Sequence, residues 1–128
     1  MKRILLIGLS LLVAGLCLLP TGSSTAQTPT TVEITPATQT VVAGQTFTVS
    51  VYVVPDEPIA GVQADFHFDA SLLRVNSVTQ GNLLSQSCST MFNGGTINNT
   101  AGTVTGGYCF VTGVCTNSNP GIYVNISL

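Results

Sequence analysis

Apolar and polar residues alternate with a period of two in several short segments of this chain. The clearest segment runs from Thr46 to Val53, and its apolar positions are Phe47, Val49, Val51 and Val53. A second segment places Val62, Ala64, Phe66 and Phe68 on one face and Gln63, Asp65 and His67 on the other. Because successive side chains of a strand point to opposite faces, both segments are predicted to be β-strands with one buried face.

Further segments carry shorter strand patterns bounded by turn residues: Val32 to Ile34, Gln39 to Val42, Leu72 to Val78, Cys88 to Phe92, Thr103 to Val111 and Ile122 to Leu128. Pro36 ends the first of them, which is typical of an edge strand. The segments ending at Phe92 and starting at Thr103 are predicted to form a long hairpin across a Gly- and Asn-rich tip. No 3.6-residue period is sustained after the N-terminal segment, so the pattern favours an all-β antiparallel sandwich.

The N-terminal segment has the three-part layout of a secretory signal peptide. Lys2 and Arg3 precede an apolar run from Ile4 to Leu19, and small residues follow up to Ala26. The run is shorter than the roughly 18 residues that a membrane-spanning helix needs. Lipid attachment at Cys17 is a minor alternative, because the preceding leucine stands where a lipoprotein signal has a small residue.

We therefore predict a signal peptide over residues 1–26, an exposed leader over 27–31 and a β-sandwich domain over 32–128. The protein is expected to be secreted, extracellular or at the cell surface, with no membrane insertion after removal of the signal.

The charge of the predicted mature chain excludes two classes of partner. Arg74 is its only strong cation, and it stands against five carboxylates: Glu33, Asp56, Glu57, Asp65 and Asp69. Nucleic acids and anionic membrane surfaces are bound by clustered Lys and Arg. Neither is expected as a partner.

Cysteine usage predicts a disulfide. Cys17 is lost with the predicted signal peptide, so the mature chain keeps Cys88, Cys109 and Cys115. In an oxidising compartment two of these three are expected to form a disulfide, which leaves one free thiol. The pairing stays open at this point. A zinc site built from these cysteines and His67 is less favoured, because the spacings differ from the short paired spacings of structural zinc sites.

The residues that catalysis needs are scarce. His67 is the only histidine and no GxSxG motif is present, which disfavours a Ser–His–Asp triad. Asp65 and Asp69 could serve as glycosidase carboxylates or calcium ligands, but a solvated strand residue and a turn cap are the better interpretations. The triplets starting at Asn98 and Asn125 match the glycosylation pattern, which is a weak signal for a surface loop. We expect a non-catalytic chain without a metal or cofactor of its own.

Three stretches, taken in order, carry the most specific pattern in the chain: VVAGQTFTV from Val41, IAGVQADFHFDASLLRV from Ile59, and GNLL from Gly81. Together they resemble the cohesin domain, the receptor module of cellulosome scaffolding proteins. The resemblance extends over residues 32–128 and implies a jelly-roll sandwich with immunoglobulin-like layering. It also implies that one sheet presents a flat face to a dockerin, a calcium-loaded module borne by polysaccharide-degrading enzymes, with the calcium on the dockerin.

The resemblance further implies a partner-binding row and a missing end. The family's third strand falls on Gly61 to Phe68, so the row would be Gly61, Gln63, Asp65 and His67. The alternation of this segment turns the same row outward. Two strands of the family domain would follow Leu128, so we expect a sandwich that is incomplete, or truncated, at its C-terminal end.

The leading hypothesis is a binding module that docks dockerin-bearing proteins in an extracellular polysaccharide-degradation or surface assembly. Direct binding of a polysaccharide is one alternative, although the predicted mature chain has no Trp and only Tyr52, Tyr108 and Tyr123. A structural spacer in a surface-layer or adhesin protein is another.

Overall fold

Eight strands make up the regular structure of residues 28–128, the part of the chain that the computed structural model describes. They are β1 (Thr31–Thr35), β2 (Thr48–Val54), β3 (Gly61–His67), β4 (Ser77–Gln80), β5 (Thr90–Asn93), β6 (Thr96–Asn98), β7 (Thr103–Val111) and β8 (Gly121–Ser127). The predicted signal peptide lies outside the described residues. Residues 28–30 are exposed and without regular structure, and β1 begins at the next residue.

The strands form two antiparallel sheets. One has the order β1-β2-β8-β4, and the other has the order β3-β7-β5, with β6 also paired to β7. The all-β antiparallel sandwich predicted from the alternation is confirmed, and residues 28–128 contain no helix. The first strand lies at a sheet edge, as Pro36 predicted.

The core lies between the two sheets. Val51 and Val53 of β2 are 5 % and 4 % exposed, in the phase that the alternation predicted, and Val104 of β7 is fully buried. β8 contributes Tyr123, Val124 and Ile126, and the turn before β5 contributes Leu83 and Leu84. Each buried Val, Leu or Ile side chain stabilises the fold by about 1.5–3 kcal/mol through removal of apolar surface from water.

The predicted long hairpin is confirmed, and an additional short strand, β6, lies within it. Both β5 and β6 pair with β7, on either side of Gly94 and Gly95. A Cβ atom at Gly94 would lie 2.9 Å from the carbonyl oxygen of Val78, so only glycine allows β5 to approach β4 this closely. This contact joins the two sheets along one side of the sandwich.

Two of the predicted strands are wrong in whole or in part. Residues 39–42 form no strand, although the predicted turn after them is present, with Gln45 N–H donating to the Val42 carbonyl. The strand predicted from Leu72 begins only at Ser77. The N–H groups of Leu72 and Leu73 both donate to the carbonyl of Asp69, so a local turn replaces the first part of that strand.

Candidate functional site

The candidate site is the outward surface of the β3-β7-β5 sheet, which we call the outer face. Its residues are Gly61, Gln63, Asp65 and His67 of β3, Thr105, Tyr108 and Phe110 of β7, and Met91 and Asn93 of β5. On each strand the residues between them turn toward the core, as Val104 and Cys109 do at 0 % and 3 % exposure. The outer face therefore displays its side chains on a backbone fixed by the core behind it.

All four residues of the predicted binding row lie on the outer face. β3 alternates strictly between exposed and half-buried positions, with Gly61, Gln63, Asp65 and His67 exposed. The register sets Gly61 opposite Phe110 and Gln63 opposite Tyr108. The exposure of the row is confirmed, and its role in binding stays a prediction.

A β-bulge in β7 lies directly beside Asp65. Ala64 pairs with Gly107 but Phe66 pairs with Val104, so β7 carries one extra residue between these pairs. Gly106 occupies the bulge with φ +71°, a conformation that glycine adopts without steric cost. The Gly106 N–H, displaced from the ladder, donates to Oδ1 of Asp65 at 2.7 Å. Asp65 is exposed on its strand, as predicted, and its carboxylate also accepts the hydrogen bond that closes the bulge.

The bulge inverts the phase of β7. Val104 points into the core, and strict alternation would place Tyr108 and Phe110 on the same side. The extra residue reverses this, so that both rings lie on the outer face, with Cys109 buried between them. The rings stack on each other with centroids 5.4 Å apart and an interplanar angle of 25°.

Phe110 and Met91 form the most apolar part of the outer face. They pair across β7 and β5, and they are 40 % and 50 % exposed. Sequence reasoning missed both residues and Tyr108 as site residues. The one signal that could have found them is the Gly106-Gly107 pair within an alternating strand, since glycine there is typical of a bulge.

A shallow depression of about 290 Å³ lies on the outer face next to Gly61. Its lining residues are Gly61, Val62, Gln63, Tyr108, Cys109 and Phe110. It exists because Gly61 has no side chain: a Cβ atom there would lie 3.3 Å from Cβ of Phe110. We call this depression the Gly61 notch.

Cys88 and Cys115 form the disulfide, which resolves the pairing that the sequence left open. Among the described residues Cys109 is the free cysteine; it is buried, and burial raises the pKa of its thiol above the ordinary value. Within residues 28–128 no group of three or more His, Cys, Asp and Glu side chains could hold a metal ion. Because Cys88 and Cys115 are bonded to each other, they do not serve as two of the four ligands of the less favoured zinc site.

Asn117 organises the loops at the Gly61 end of the sheet. It is 2 % exposed, and its Nδ2 donates to the carbonyls of Leu83 and Asn119, both at 2.7 Å. Its Oδ1 accepts from Ser87 Oγ at 3.2 Å, and its backbone exchanges two hydrogen bonds with Ile59, just before β3. Nothing in the sequence pattern singled out this residue.

The remaining candidates have structural roles. Oδ1 of Asp69 accepts from the backbone N–H and the hydroxyl of Ser71, and these bonds lower the pKa of the Asp69 carboxyl. The predicted turn cap is therefore confirmed. Asn98 is the exposed last residue of β6 and accepts from Thr100 N–H, whereas Asn125 lies within β8 and accepts from the Ser50 hydroxyl.

The comparisons with known proteins identify the class of this domain. Residues 30–128 match the family model of the Cohesin domain, so the chain belongs to the cohesin family. A domain of this family is a non-catalytic protein-binding module. Searches of curated proteins and of solved structures returned no match. The described residues include no helix long and apolar enough to span a membrane.

Proposed function

We propose that this domain is a secreted docking module that binds a dockerin-bearing protein through its outer face. The observation that carries the proposal is the apolar cluster that the exposed Phe110 and Met91 form with the half-buried Tyr108 on two paired strands of the outer face. Aromatic residues and Met are enriched in protein interfaces, while charged residues are depleted from their cores. The outer face follows this composition, since Asp65 is the only carboxylate among its residues and it has no Lys or Arg.

The geometry of the aromatic pair favours a protein ligand over a polysaccharide. A sugar ring needs an open aromatic face on which to stack. Tyr108 and Phe110 stack on each other instead, so each ring covers one face of its neighbour. The pair is better suited to receive aliphatic side chains, for which the contact is non-directional burial of apolar surface.

The finer parts of the proposal follow from the sequence. The signal-peptide pattern over residues 1–26 supports secretion. Membership of the cohesin family supports a dockerin as partner, with calcium bound by the dockerin and with polysaccharide degradation as the setting.

The test is a binding assay with the purified chain immobilised and a panel of purified dockerin modules in solution. Each module is applied once with calcium chloride and once with a calcium chelator. We expect at least one module to be retained with calcium and released by the chelator. Retention of none by a chain that shows a cooperative thermal unfolding transition would overturn the proposal, and retention of that chain on insoluble cellulose would favour the polysaccharide alternative.

A further inference from the structure

We infer that the Gly61 notch is the specificity-determining pocket of the outer face and receives one apolar side chain of the partner. This inference rests on the proposed docking function and deepens it. It concerns what the partner must present, which the family assignment leaves open.

The walls of the notch are well suited to an apolar anchor. Phe110 borders it on one strand and Gly61 leaves it open on the next, while Tyr108 stacks against Phe110 and holds that ring in place. Gln63 is the only lining side chain with an amide. No ionisable carboxylate, Lys or Arg lines the notch. Because a charged or strongly polar group would lose its hydration there without a partner, an aliphatic or aromatic side chain is the favoured occupant.

Charge defines the second requirement on the partner. Asp65 lies four residues from Gly61 along β3, which corresponds to about 13 Å in an extended strand. One of its oxygens accepts the Gly106 N–H, and a carboxylate has capacity for further donors. Within residues 28–128 the only Lys or Arg is Arg74, which lies between β3 and β4 and not on the outer face.

The partner that fits these features is a protein surface with an apolar anchor and a Lys or Arg about 13 Å apart. Side chains two turns apart on an α-helix, separated by about 11 Å along its axis, come close to this spacing. The anchor would enter the Gly61 notch and the cation would approach Asp65. Rim charges of this kind mainly raise the association rate and select among partners.

The test fills the Gly61 notch by a substitution in this chain. The probe is a purified, calcium-loaded dockerin module that the unaltered chain retains. Gly61→Leu is expected to weaken its binding by roughly tenfold or more, because the new side chain occupies the space of the anchor. Thr79→Leu, which adds the same side chain at an exposed position of β4 in the other sheet, is the matched control and is expected to leave the dissociation constant unchanged.

A double-mutant cycle makes the test independent of any loss of folding. Each apolar surface residue of the dockerin is changed in turn to Ala and titrated against the unaltered chain and against Gly61→Ala, a smaller filling of the notch. One dockerin variant is expected to lose binding to the unaltered chain and to lose much less against Gly61→Ala, which identifies the anchor. Asp65→Asn keeps the acceptor for Gly106 and is expected to slow association several-fold at low salt.

The outcomes separate this inference from the docking proposal. If no dockerin is retained by the unaltered chain, the proposed function itself fails. If a dockerin is retained but Gly61→Leu binds it with unchanged affinity, docking stands and the notch is not its anchor site. A cycle in which no apolar dockerin residue is coupled to position 61 would also overturn the inference.

Discussion

The rings of Tyr108 and Phe110 stack on each other on the outward side of β7, with their centroids 5.4 Å apart. They reach that side only because Gly106 adds a residue to the strand and reverses its alternation. The bulge therefore decides which side chains the domain presents to a partner, and the interaction between Asp65 and Gly106 helps to keep the bulge in place.

Removal of the Phe110 ring is expected to weaken docking by about 30-fold, which corresponds to roughly 2 kcal/mol and is typical of an interface hot spot. The Phe110→Ala variant should stay folded with a modestly lowered thermal midpoint, since the ring is already 40 % exposed. The control is Leu72→Ala, which removes an 80 % exposed apolar side chain away from the outer face. Equal affinity of the Phe110→Ala variant and the unaltered chain for the dockerin would contradict the assigned role.

The Asp65 carboxylate is expected to stabilise the bulge as an acceptor rather than as a charge. Asp65→Ala should lower the free energy of unfolding by about 1 kcal/mol, because the Gly106 N–H loses its partner. Asp65→Asn should lower it by less, since an amide oxygen also accepts. Urea denaturation of both variants checks this, and an Asp65→Asn loss as large as that of Asp65→Ala would show that the charge matters instead.

Loss of the Cys88–Cys115 bridge is expected to destabilise the domain strongly. The bonded residues are 27 apart in sequence. Closing a loop of that length restricts the unfolded chain by about 3.5 kcal/mol. Guanidinium denaturation of the double Cys88→Ser, Cys115→Ser variant should show this loss. Reducing agent should destabilise the unaltered protein by a similar amount and leave the double variant unchanged.

Asn117 is expected to be among the most sensitive single positions of the fold. Asn117→Ala removes the shorter of the two side-chain hydrogen bonds that the Leu83 and Asn119 carbonyls each accept, and leaves them only the longer bonds from Gln86, at a cost of about 1–3 kcal/mol. Asn117→Asp should cost at least as much, because a carboxylate would then face two carbonyl oxygens. Asn119→Ala is the control, since its backbone carbonyl stays in place and only its own side chain is removed. A thermal midpoint for Asn117→Ala equal to that of the control would contradict the role given to this residue.

Stability is expected to fall at alkaline pH. Burial raises the pKa of Tyr123 to about 12 and also raises that of Cys109. Because both folded-state pKa values lie above their unfolded values of roughly 10 and 9, the neutral groups favour the folded state. This contribution is complete below about pH 9 and is lost as the pH rises toward 12. Denaturation between pH 8 and 11 should show the decline, and a Cys109→Ala, Tyr123→Phe variant should show a shallower one.

The alternation along single strands carried much of the fold and part of the site. The buried and exposed faces of β2 and β3 were predicted correctly. Each of these strands keeps one face toward the core along its whole length, so its apolar residues recur at every second position. The aromatic residues of β7 were missed because their orientation depends on a bulge, and a bulge reflects pairing between strands distant in sequence. The same limit explains Asn117, whose side-chain partners lie up to 34 residues away.

The measurement that tests the central claim most directly is chemical-shift mapping on the isotope-labelled domain with an unlabelled, calcium-loaded dockerin that it retains. We expect shift changes in β3, at Tyr108 and Phe110, and at Met91. Glu33 of β1 and Thr79 of β4, on the other sheet, should keep their shifts. Changes confined to the β1-β2-β8-β4 sheet at saturation would contradict docking through the outer face.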